Sequence, residues 1–174
     1  LRQHIGHIAH FHTGGVPGRH ELDDTQELNY RTVARAIADA GVPVGVNVAP
    51  VIPQLTDRDL EAILEAAAAA GARHAGWTML RLPLEVAPLF RDWLATHYPL
   101  RAAHVMSLVR QIRGGRDNES RFGVRMGGQG QFADLIRRRF ALACKRLDLN
   151  TARDAPLDTS RFRPPGAASQ LDLF

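Results

Sequence analysis

The sequence predicts an α/β fold: a partial (β/α) barrel with parallel strands, extra C-terminal helices and an extended tail. Three observations point there. Strand-length apolar runs alternate with segments of helical period. The run PVGVNVAPVIP is apolar on both faces, as in a strand of a parallel sheet, and ends in a proline-punctuated turn. The order strand, helix, strand, helix, strand, helix gives too few strands to close a barrel, so open edges remain that invite pairing with another chain.

The elements follow in order. HIAHFHT reads as a short strand with Ile8, His10 and His12 on one side, and GGVPGRHELDD as a loop. Asp24 or Thr25 is placed to cap a helix from about Gln26 to Ala40, whose apolar face is Leu28, Val33, Ala36 and Ile37; Gly41 ends it. After the strand in PVGVNVAPVIP, Thr56 is expected to cap a helix that runs to Gly71, with Asp59 at its third position. ARHAGWTMLRLP is the next strand. LEVAPLFRDWLATHYP, Arg101–Arg113 and Phe132–Leu147 are helical. From Thr151, Pro156, Pro164 and Pro165 interrupt an aperiodic stretch that reads as an extended tail. The expected divisions are therefore a βα unit over 1–41, a late-barrel part over 42–150 and a tail over 151–174.

Composition narrows the function. With 174 residues and an ordinary apolar fraction, the chain suits one core, and no apolar run is long enough to span a membrane. Its start, LRQHIGHIAHFH, has histidines where a signal peptide needs an apolar stretch, and its opening on Leu1 suggests a fragment. The lone Cys144 excludes an internal disulfide, fits a reducing cytoplasm and, in FALACKRL, reads as a core residue. Charge is unevenly spread. Residues 1–99 carry eight arginines against eleven acids, whereas residues 100–150 carry ten arginines and Lys145 against four. A basic block of this kind suits nucleic acid, or else forms a solvated helical face.

The segments AGVPVGVNVAPVIPQLTDRDLEAILEAAAAAGA, LRLPLEVAPLFRDWL, RGGRDNESRFGVRM and DTSRFRPPG together resemble the radical SAM proteins related to spore photoproduct lyase, the DNA-repair-photolyase-like group. The resemblance covers about residues 40–174 and implies a carboxy-terminal half-barrel that helps to bind S-adenosylmethionine. It implies a [4Fe–4S] cluster for the whole family. One cysteine cannot hold that cluster, so the isolated chain is expected to be inactive in radical chemistry. Asn47, Pro50 and Pro53, at the carboxyl end of a barrel strand, would face the cofactor's nucleoside. Arg81, at the end of the next strand, would reach an acidic group in the same cavity or cap the helix that follows. In RGGRDNESRFGVRMGGQG, Arg113, Arg116, Arg121 and Arg125 interleave with glycine pairs and are candidates to contact substrate or nucleic-acid phosphates.

Residues 1–40 resemble a different group, the hydroxypyruvate isomerase type of sugar-isomerase TIM barrel, through GRHE and the ELNY segment. That resemblance places a divalent-metal ligand at His12 and substrate contacts at Arg19 and His20. The acidic ligand that such a site needs on the next strand is absent from PVGVNVAP, so metal binding by His4, His7, His10 and His12 would be weak. The alternative function is then a metal-dependent hydroxypyruvate or sugar isomerase.

A third reading is not enzymatic. Gln170, Leu171, Asp172, Leu173 and Phe174 match the short peptide by which bacterial replication and repair proteins dock on the sliding clamp, on a proline-rich leash that would order on binding. The chain would then be a basic interaction module.

Overall fold

A computed structural model of the chain describes residues 29–151. The expected first strand, the loop after it and the tail beyond Thr151 lie outside the described residues. Within them, five helices accompany a two-stranded parallel sheet. None of these helices is long and apolar enough to cross a membrane.

Helix α1 spans Tyr30–Asp39. It starts later than the spacing suggests, because Asn29 takes the cap: its backbone is extended and its Oδ1 accepts from the Thr32 amide at 3.0 Å. Gly41 ends the helix at φ +81°, as expected. Strand β1 (Gly45–Val51) leads through a 3₁₀ turn, Asp57–Asp59, into α2 (Leu60–Ala69). Thr56 does not cap that helix. Its hydroxyl turns back, accepting from the Ile52 amide at 2.8 Å and donating to the Pro50 carbonyl at 2.9 Å. The competing bonds belong to the turn that leaves β1, and Asp59 stands immediately before α2 rather than inside it.

Strand β2 (His74–Met79) lies parallel to β1, pairing Gly45 with His74, Asn47 with Gly76 and Val48 with Trp77. The ladder slips between Val48 and Val51, next to the cis Ala49–Pro50 bond. Gly71, at φ +92°, joins α2 to β2 and lets α1 approach: a Cβ there would sit 2.7 Å from Ala38 Cβ. Helices α3 (Val86–His97), α4 (Ala102–Ile112) and α5 (Gly130–Arg146) follow.

The alternation along the strands sorts the sheet into two unlike faces. Val46, Val48, Ala75, Trp77 and Met79 point toward Leu60 and Leu64 of α2, Ile112 of α4, and Ile136 and Cys144 of α5. Each large aliphatic group buried there contributes about 1.5–3 kcal/mol. A second cluster joins Ile52, Leu80 and Leu82 to Leu94 of α3 and to Val105 and Val109 of α4. Cys144 is buried, as expected, and desolvation pushes its thiol pKa up. The opposite face carries Gly45, Asn47 and Ala49 beside His74, Gly76 and Thr78, and is exposed or half-exposed among the described residues.

Candidate functional site

Parallel sheets gather ligands at the carboxyl ends of their strands, where the backbone groups leave the ladder. Here that edge is built from Pro50, the segment Met79–Arg81 and the loop that follows α4, whereas Asn47, expected at the strand's end, is the third residue of β1 and pairs with Gly76 inside the ladder. Asn47 lies exposed on the outer sheet face directly beside Gly76. A Cβ at position 76 would come within 3.2 Å of Asn47 Oδ1, so the missing side chain leaves room for the amide to lie over β2. No hydrogen bond occupies the Asn47 amide among the described residues.

Arg81 stands two residues beyond the last residue of β2. Its Nη1 lies 4.0 Å from Met126 Sδ, a weak acceptor, and its buried Nε has no hydrogen-bond partner. No carboxylate pairs with it among the described residues. A guanidinium held this way offers donors to an anion arriving from solvent.

The other sequence-marked positions divide. Pro50 is exposed, whereas Pro53 is fully buried and is not at the rim. Arg113, grouped by sequence with the arginines expected to contact phosphate, is instead wholly inside the fold. Its Nη1 donates to the carbonyls of Arg125 at 2.8 Å and Val124 at 3.4 Å, and its Nη2 to those of Met79 at 3.1 Å and Leu80. With those donors committed, it fastens the loop to the end of β2. Burial first, and then the like charge of Arg81, lower its pKa, while Glu119 opposes them. The Met79 amide donates to the Met126 carbonyl at 2.8 Å, a second tie between strand and loop.

Arg116 and Arg121 are exposed and Arg125 is half-buried. The two acids of this loop are turned inward. Asp117 is held by Arg91 and by Arg110, the latter at 2.9 Å. Glu119 is 7% exposed, accepts from the Arg121 amide at 2.9 Å and pairs with Arg121 Nε at 3.1 Å. The Arg121 amide is the main reason its carboxyl pKa lies below the ordinary value.

Sequence reasoning passed over Gly76 and Phe122. A glycine inside a strand pattern marks a close approach, and an aromatic residue between arginines in a glycine-rich stretch marks a displayed ring; those were the available signals. His12, Arg19, His20 and Gln170–Phe174 lie outside the described residues. Among the described residues, no three metal-ligating side chains cluster. No family model, curated protein or solved structure matches the chain.

Proposed function

We propose that residues 42–150 are the late part of a partial (β/α) barrel from a radical SAM photolyase-like enzyme, and that the carboxyl edge of β1 and β2 binds S-adenosylmethionine. The observation that carries this reading is Arg81: a guanidinium at the end of a parallel strand with no acidic partner among the described residues. Arg81 would take the carboxylate of the ligand, which would have to lie back along β1 and β2 to bring its nucleoside to Asn47, opposite Gly76. The sheet face that carries Gly45, Asn47, Ala49, His74, Gly76 and Thr78 is exposed or half-exposed among the described residues.

The residues fit this ligand but not the family's [4Fe–4S] cluster. The chain has one cysteine, and Cys144 is buried on the inner face of α5, where desolvation pushes its thiol pKa up. S-adenosylmethionine supplies a 5′-deoxyadenosyl group to radical chemistry when an external electron donor cleaves it. The residues of this chain would bind and orient it, through Arg81 and Asn47, and Arg113 would keep the rim in place.

Calorimetric titration of the full chain with S-adenosylmethionine tests the reading. Saturable binding is expected, and Arg81→Gln is expected to weaken it roughly tenfold or more, the worth of one charge-assisted hydrogen bond. Titration heats that never saturate, or an Arg81→Gln variant that binds like the parent chain, would sink it. Anaerobic reconstitution with iron and sulfide is expected to give no cleavage of the ligand.

A further inference from the structure

The loop between α4 and α5 displays a ring that the fold does not use. Phe122 is 90% exposed, although the loop around it is well tied down. Arg113 holds the carbonyls of Val124 and Arg125 from beneath, the Arg125 amide donates to Arg121 at 3.0 Å, and the Gly128 amide donates to Val124 at 2.8 Å. A fixed backbone therefore presents Phe122 to solvent, where an aromatic ring gains nothing from burial. The charges around it are sorted in the same sense. Asp117 and Glu119 are consumed by Arg91, Arg110 and Arg121, and face inward. Arg116 and the outer part of Arg121 remain exposed, and the Arg125 guanidinium carbon lies 5.6 Å from the Phe122 ring centroid. The outward surface is thus one aromatic face amid cations.

We infer that this loop is a binding site for single-stranded nucleic acid, with Phe122 as the platform for one unstacked base and Arg116, Arg121 and Arg125 placed for the flanking phosphates. The chemistry favours single strands over duplex, because a base inside a duplex already has both faces stacked. It favours nucleic acid over an acidic protein surface, because a bare ring among guanidinium groups matches a polyanion that carries flat aromatic groups. The inference goes beyond the Arg81 reading, since it concerns a different ligand and the outward side of a loop whose Met126 adjoins Arg81.

The test is fluorescence anisotropy of the full chain with a labelled twelve-residue oligothymidylate, a duplex of equal length, and a strand carrying 2-aminopurine. The single strand is expected to bind more tightly than the duplex and to quench the 2-aminopurine on stacking. Phe122→Ala is expected to cost about tenfold in affinity, near the middle of the range for one base–aromatic stack, while Phe122→Trp keeps it. Because the ring carries no charge, Phe122→Ala should leave the salt dependence unchanged, whereas Arg116→Ala should reduce its slope by about one ion. The residue is exposed, so the thermal midpoint of Phe122→Ala should match the parent and separate loss of binding from loss of fold. Equal affinity of Phe122→Ala and the parent chain overturns the inference, and so does a preference for the duplex or an absence of binding to either.

Discussion

The side chain of Arg113 holds the main chain of Arg125, with Nη1 2.8 Å from the carbonyl oxygen, while Nη2 of the same guanidinium grips Met79 and Leu80. One buried cation thereby satisfies carbonyls on two segments that are far apart in sequence.

Replacing Arg113 by methionine should be costly. The apolar stem is retained, but the carbonyls at 79, 80 and 125 lose a shared donor, while that of Val124 keeps the Gly128 amide. A loss of about 3 kcal/mol is expected, because desolvated acceptors would be left without a partner. Urea denaturation measures it; a midpoint like that of the parent chain would show that the clasp contributes nothing. Limited proteolysis should cut the variant first within 114–129.

Arg139 and Glu61 tie α5 to α2 through two N–H bonds, at 2.8 and 2.6 Å. The Arg139 hydrogen bond is the main cause of a Glu61 pKa below its ordinary 4.5, with burial opposing it. The folded state therefore binds the Glu61 proton more weakly than the unfolded chain does. The stability from this pair is complete above about pH 4.5 and is lost as the pH falls through the lower folded value. A double-mutant cycle with Glu61→Gln and Arg139→Gln at neutral pH should return a coupling of about 1 kcal/mol, shrinking in acid. A coupling that does not change with pH would contradict this.

At Gly76, alanine should act through Asn47. The added Cβ would come within 3.2 Å of Asn47 Oδ1, closer than ordinary contact, so the amide must swing away. Stability should fall by no more than about 1 kcal/mol, because the face is open and the side chain can move. Binding of S-adenosylmethionine should weaken more than that loss explains, and calorimetry on Gly76→Ala beside Asn47→Ala separates the two effects. Unchanged binding in both variants would remove Asn47 from the site.

Cys144 should react slowly with a thiol-specific reagent in the native protein and rapidly after unfolding, since burial both shields the sulfur and keeps it protonated. A fast native reaction would mean that α5 opens readily from the sheet.

The elements were legible where one signal dominated. Val46, Val48 and Val51 mark a strand whichever face is buried, and the glycines after α1 and α2 mark helix ends without help from distant residues. The cap at Asn29 and the hydroxyl of Thr56 were misjudged for the same reason: several polar side chains compete near each helix start, and local geometry decides between them. Arg113 was the larger surprise. In sequence it is one of four arginines among glycines, and nothing local shows that its Nη2 is claimed by the Met79 and Leu80 carbonyls, more than thirty residues earlier. Arg81 was readable at a strand end from its position after an apolar run, whereas Asn47, expected at such an end too, lies inside β1. Gly76 gained its meaning only when the register set it opposite Asn47.

Because the Arg113 guanidinium spans strand end and loop, Arg81 and Phe122 are mounted on a common chassis. Their separation is fixed by a cation neither of them touches through a hydrogen bond, so a molecule engaging both would meet a ruler of set length and not a pair of independently adjusting arms.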